Sequence, residues 1–280
     1  MNKIELRSGF DVRRWMFDVG RSSFDKLSKP SELLIRLIMD YAQFQKQVSL
    51  SKQDICREAF ADNRNTIRVK KEDTVVKNLE RIFDATLKIS NKKGFQAMSM
   101  RDLSKETHLS MGALYSYFSS KEELLEMLQH QHRTITIRIL ETYINTQKDP
   151  LAKINVAIRT HLYLSEIMQP WFYFSYMETK NLSKKQQQLA IASELYTEKI
   201  ISDILNQGQT QGHFEIDDLQ LTAGVIKAML QDWYLKRWKY AKRKISVDQY
   251  ARFVLNIVTA YISDRKASQK TLNSVKLREQ

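Results

Sequence analysis

From Val75 onward the apolar positions Val76, Leu79, Ile82, Phe83 and Leu87 recur at intervals of three and four, the period of a helix that buries one face. The run closes near Gly94, a residue suited to the left-handed position after a helix. Three short helices are predicted next, each opened by a serine: Ser99 before MRDLSKE, Ser110 before MGALYSYF and Ser120 before KEELLEML. Ser120 with Glu123 forms a capping box, and Ser183 with Gln186 and Ser246 with Gln249 repeat it. Past Glu123 the pattern reads as long helices, interrupted at residues 148–150, at Gln169-Pro170, at 181–183 and between Gly208 and Gly212. With only 7 Gly and 3 Pro in 280 residues, the expected fold class is all-α.

Residues 61–74, ADNRNTIRVKKEDT, are polar, charged and without helical period, so they read as a linker. The expected organisation is an extra N-terminal domain at 1–73, a head at 75–130, a helical body at 131–268 and a tail at 269–280. Within the first part, residues 3–7 alternate like a strand, while 10–25 and 31–41 read as helices. Strand, helix, helix resembles a ribbon-helix-helix module, in which paired strands would offer Lys3, Glu5 and Arg7 to a DNA groove. A small helical partner or dimer-supporting domain is the other reading.

The formal charge of +13 favours association with phosphate polymers or anionic surfaces. Its distribution is +4 over residues 1–73 (15 basic, 11 acidic), +2 over 74–135 (9 and 7) and +7 over 136–280 (21 and 14). The head is therefore not the most basic part, and charge alone does not identify a nucleic-acid binder. No stretch reaches the roughly 18 uncharged apolar residues of a membrane span, nor does the start resemble a signal peptide, so a cytoplasmic protein without a membrane partner is expected. Cys56 is the sole cysteine, which excludes an intrachain disulfide and a four-cysteine zinc site and suggests a small buried hydrophobe. His130 and His132 fall on different sides of a helix, and no metal or cofactor is expected. No Ser-His-Asp ordering, glycine-rich phosphate loop or paired carboxylate motif stands out, so no enzyme is expected.

Two short helices, Met100–Thr107 and Met111–Phe118, joined by His108-Leu109-Ser110, have helix-turn-helix spacing. Such a unit puts the start of its second helix in the major groove. The 44 residues from Arg81 to Leu124 resemble the TetR-family head almost position by position, through Ala85, Lys93-Gly94-Phe95, Arg101-Asp102-Leu103, Leu114-Tyr115, Tyr117-Phe118 and Ser120-Lys121-Glu122. The resemblance implies a three-helix DNA-binding head. It assigns DNA contacts to Ser99, Met100 and Arg101 and, on the recognition helix, to Ser110, Met111, Gly112, Ala113 and Tyr115. Tyr117 and Lys121 would hold phosphates. Arg101 has the bidentate geometry for guanine, while Met111 and Ala113 stand where the family commonly has lysine and threonine and would offer apolar contacts to thymine methyls.

Residues beyond 125 resemble the family's ligand-binding and dimerisation body more loosely. Stripes at Val225, Ile226, Met229, Leu230, Trp233 and at Phe253, Val254, Ile257, Val258, Tyr261 are wide enough to bury one face within the chain and another against a twin. A homodimer on a near-palindromic double-stranded operator follows from the resemblance. The segment MQPWFYFSYM could line a pocket with Met168, Trp171, Phe172, Phe174, Tyr176 and Met177, joined by Trp233; core packing is the competing reading for each. Residues 233–244, WYLKRWKYAKRK, and 178–182, ETKNL, resemble acyl-CoA-responsive members that regulate fatty-acid metabolism. A small hydrophobic effector such as a long-chain acyl-CoA is thus expected to relieve repression. The rival reading is a TetR-fold interaction protein without specific operator binding.

Overall fold

The computed structural model describes residues 40–48 and 51–263. The ribbon-helix-helix expectation and the C-terminal tail lie almost wholly outside these residues. Among the described residues every regular element is helical. The order is α1 Tyr41–Gln47, α2 Lys52–Asp62, α3 Glu72–Lys93, α4 Met100–Thr107, α5 Met111–Leu114, α6 Lys121–Ile144, α7 Pro150–Ile167, α8 Gln169–Glu178, α9 Lys184–Thr210, α10 Leu219–Leu235, α11 Arg237–Lys242 and α12 Val247–Ser263, with a 3₁₀ turn at Thr179–Asn181. No helix among them is long and apolar enough to cross a membrane.

Two apolar clusters organise the chain. The head core joins Val75, Leu79, Ile82 and Phe83 of α3 to Leu103, Leu114, Tyr117 and Phe118, and is closed by Leu124 and Leu128 at the start of α6. The body core gathers the later part of α6 with α7, α9, α10 and α12. α6 is therefore the shared beam: its first turns belong to the head and its last to the body. Its start is set by Ser120, whose Oγ accepts from Glu123 N, and α7 begins with Asp149 capping ahead of Pro150 at the first helical position.

The stretch 61–74 is not a free linker. Ile67 is fully buried in the head core beside Cys56, Ala59 and Phe60 of α2. A turn built on Asn63, whose carbonyl accepts from Thr66 N and Ile67 N, folds it inward. Two apolar residues, Ile67 and Val69, in a polar run carry no helical period, which hid this packing from the sequence pattern. α2 bridges both units: Ile55 joins the body core, while Cys56, Ala59 and Phe60 join the head. Glu58 receives a bidentate pair from Arg138 (2.6 and 3.3 Å), Asp62 accepts from Gln131 Nε2 (2.8 Å), and Lys52 reaches Asp84 on α3 (2.7 Å). Cys56 is buried, and burial, reinforced by Glu80 and Asp84, pushes its thiol up to about 12.

Candidate DNA interface and regulatory core

α4 opens on a reciprocal cap: Ser99 Oγ accepts from Asp102 N (3.1 Å) and Asp102 Oδ2 accepts from Ser99 N (2.8 Å). Lys93 Nζ donates to the same carboxylate (2.8 Å), tying the end of α3 to the start of α4. The hydrogen bonds from Lys93 and then from Ser99 hold the Asp102 carboxyl well below the usual carboxylate range. The turn after α4 needs one left-handed residue, and His108 supplies it at φ 58°. Ser104 Oγ on Leu109 O (2.6 Å) and Leu109 N on Thr107 Oγ1 (3.3 Å) hold the turn closed.

α5, the recognition helix, is capped by Ser110 Oγ accepting from Ala113 N (3.2 Å). It ends at Leu114 rather than continuing to Phe118 as its composition suggested. Ser116 N and Tyr117 N bond three residues back, and the Ser116 carbonyl accepts from Arg68 N (2.9 Å) instead of from the extended N-cap Ser120. The residues expected at DNA divide accordingly. Ser99, Arg101, Ser110, Met111, Gly112 and Tyr115 are exposed, while Met100 and Ala113 are half-buried.

Tyr117 and Lys121 are placed differently from expectation. Tyr117 is 2 % exposed, and its hydroxyl accepts from Asn78 Nδ2 (2.7 Å), because the ring is needed in a small head core. Lys121 turns its ammonium inward to the carbonyls of Phe95 (2.9 Å), Gln96 (3.1 Å) and Met98 (2.8 Å) and lies over the Phe95 ring. All three donors are used on the loop that leaves α3, which clamps that loop to the start of α6.

Sequence reading missed a basic surface beside the recognition turn. An open groove of about 390 Å³ is lined by Lys71, Asp73, Thr74, Lys77, Asn78 and Arg81. It lies next to the turn through Asn78–Tyr117 and Arg68–Ser116. The charge run from Arg64 to Lys71 was the available signal, but it fell in the supposed linker.

The aromatic segment at α8 does not form one pocket wall. Met168 and Phe172 enter the body core. Trp171 packs edge-on against Phe83 (5.7 Å between centroids) and Phe174 against Phe95 (6.0 Å), both in the head, while Tyr176 and Met177 are 50 and 40 % exposed. Glu178 Oε1 accepts from Phe95 N (3.0 Å) and Asn91 Nδ2 donates to Pro170 O (3.1 Å). α8 thus joins head and body. Trp233 sits elsewhere, stacked on Tyr240 (5.0 Å) with Nε1 donating to Glu166 (3.0 Å), which Arg237 also binds through two contacts of 2.9 Å.

Inside the body, Phe172 meets two histidines edge-on, His132 at 4.5 Å and His161 at 5.6 Å, and packs against Tyr234 at 5.2 Å. Lys227 of α10 is 5 % exposed, with Nζ donating to Thr197 Oγ1 (2.6 Å) and Glu194 (3.3 Å). Burial lowers the affinity of all three for protons. His132 falls to about 3, with Arg133 and Lys227 adding to burial, so its imidazole is neutral at pH 7. The polar residue Lys227 inside the Ile226–Leu230 stripe was a visible but unused sign. Among the described residues no group of three or more His, Cys, Asp or Glu is arranged to hold a metal.

A helix-turn-helix on a helical body defines a DNA-binding regulator. The model of the family described as "Bacterial regulatory proteins, tetR family" matches residues 82–128, and that of the "Tetracyclin repressor-like, C-terminal domain" matches 147–261. The chain belongs to the TetR family of bacterial transcriptional regulators. It is 26 % identical over 189 residues to the HTH-type transcriptional repressor KstR2 of Mycobacterium tuberculosis, covering 61 % of this chain and 86 % of that one. An uncharacterized HTH-type regulator of Haemophilus influenzae is 37 % identical over 62 residues, 22 % of this chain and a third (33 %) of that protein. The crystal structure of the TetR-family regulator PfmR from Thermus thermophilus superposes with TM-score 0.58 at 26 % identity, over 64 % of this chain and 96 % of that one.

Proposed function

We propose that the protein is a ligand-relieved repressor that binds a near-palindromic operator as a homodimer and serves fatty-acid or lipid metabolism. The observation that carries the reading is the exposure of Arg101, Ser110, Met111, Gly112 and Tyr115 at the helix-turn-helix. Arg101 reads a base edge, Met111 meets thymine methyls, and Tyr115 donates through its hydroxyl. Arg68, Lys77 and Arg81, alongside the recognition turn, neutralise phosphates.

Supporting a dimer, Val225 of α10 and Phe253, Ile257 and Tyr261 of α12 are 52, 62, 43 and 47 % exposed. Their inward neighbours Ile226, Leu230, Val254 and Val258 fill the body core. The effector is a small hydrophobic molecule, with long-chain acyl-CoA the first to test. In the basic segment Lys236 and Lys239 are held by Asp232 and Arg237 by Glu166, while Lys242, Arg243 and Lys244 are exposed and outside those pairs, available to a nucleotide phosphate.

Binding to DNA from the gene's own upstream region, at two salt concentrations and with or without acyl-CoA, tests the reading. Specific binding that Arg101→Ala with Tyr115→Phe abolishes supports it. Tyr117 is unsuited to that role because it belongs to the core. Equal affinity for upstream and unrelated DNA sinks operator binding and favours the interaction-protein reading.

A further inference from the structure

The body core keeps polar atoms that have no hydrogen-bond partner among the described residues: His132 Nε2 and Thr136 Oγ1 on α6, His161 Nδ1 on α7 and Ser175 Oγ on α8. His132 and Thr136 are four apart on one face of α6, and Phe172 and Ser175 three apart on one face of α8. The Phe172 ring touches both imidazoles, which locates His132, His161 and Phe172 in one cluster. Lys227 stands close enough for its charge to depress the proton affinity of each histidine. Native folds leave few buried polar groups without a hydrogen bond, so a cluster of them calls for an explanation.

We infer that His132, His161 and Lys227 receive the carboxylate of an amphiphilic organic acid, whose apolar tail lies against Phe172 and Tyr234. The chemistry of the set selects the anion. Lys227 brings a buried ammonium with three donors, of which Thr197 and Glu194 use two. The hydroxyls of Thr136 and Ser175 add donors, and neutral imidazoles donate from one nitrogen each. Two acids face Lys227: Glu194, on a half-exposed side chain at 3.3 Å, whose other oxygen accepts from Gln231 (2.6 Å), and, without a hydrogen bond to the ammonium, Glu198. A ligand carboxylate therefore displaces Glu194 from the ammonium without leaving that glutamate buried and unpaired.

The same contact reaches the head. Phe172 touches the cluster from one face of α8, while Trp171, Phe174 and Glu178 on the same helix hold Phe83 and Phe95. A ligand wedged against Phe172 shifts α8, and α8 carries the displacement to the helix-turn-helix.

The inference rests on the effector-responsive reading above, and its test separates the two. Thermal melting of the full chain is followed with straight-chain carboxylates of four to sixteen carbons and with phenylpropionate, each beside its matched alcohol and CoA thioester. At least one acid is expected to raise the melting temperature with concentration where its alcohol does not. Affinity for that acid is expected to fall tenfold or more in Lys227→Met with Glu194→Gln, a pair that removes both charges together, and in His132→Phe. Equal effects of acid and alcohol, a thioester that outperforms every acid, or unchanged acid binding in both variants overturns the inference. Upstream DNA bound specifically but untouched by every acid overturns it while leaving the repressor standing; acid binding without specific DNA binding does the reverse.

Discussion

Lys121 and Arg101 are both cations of the head, yet their surroundings predict opposite phenotypes. Lys121→Met removes three hydrogen bonds to the carbonyls of Phe95, Gln96 and Met98 and is expected to destabilise the fold by about 1–3 kcal/mol in urea unfolding. Arg101→Ala, on an exposed side chain, is expected to leave stability within about 0.5 kcal/mol and to weaken specific DNA binding. If Lys121→Met left stability unchanged and reduced the salt dependence of DNA binding, the inward clamp would be wrong and the phosphate role restored. Gly112 makes a second case. A Cβ built there meets nothing within 4 Å, so Gly112→Ala is expected to fold at least as well as the parent. Loss of upstream-DNA affinity by tenfold or more would mean that the space is needed by a base edge; unchanged affinity would place α5 further from the groove. What the sequence could not disclose at this scale is direction: Lys121 reads as surface charge until the carbonyls it meets, some 23 to 26 residues earlier, are known.

At the level of elements, short-range signals were legible and lone contacts were not. The capping serines 99, 110, 120 and 183 and the period of α3 needed only neighbours within one helical turn, and each helix begins where its cap stands. The shortness of α5 was hidden because it follows from Arg68, forty-eight residues away, taking the carbonyl of Ser116. α2 was hidden for the same reason: its two faces are assigned to different cores, which blurs a single apolar stripe. The segment before the head is thus expected to be structural. Phe60→Ala, at a side chain 3 % exposed, should cost about 3–5 kcal/mol. Two-state urea melts measure it, and a loss under about 1 kcal/mol would show that α2 is dispensable to the head. The α8 segment teaches a related lesson: its crowd of aromatics is neither pocket nor core as a block, because alternate residues serve head and body.

Across the whole molecule, the exposed apolar face of α10 and α12 and the pair of heads pose one linked question. A single head presents few candidates for reading bases, chiefly Arg101 on α4 and Tyr115 at the end of the one-turn α5, so tight operator binding requires two heads held at fixed separation. The face that can fix them is the one carrying Val225, Phe253, Ile257 and Tyr261. Charges placed there, as in Phe253→Asp with Ile257→Asp, should spare the body core, since Val254, Val258 and Ile262 fill it from the opposite side of α12. The variant is therefore expected to keep its urea midpoint at micromolar concentration within the part contributed by association, to halve its mass by light scattering, and to lose specific but not salt-sensitive non-specific DNA binding. A dimer that survives the double substitution would move the interface elsewhere. A monomer that still binds its upstream DNA specifically would mean that one head suffices, and the basic groove at Lys71, Lys77 and Arg81 would then have to supply the affinity that the second head was invoked to explain.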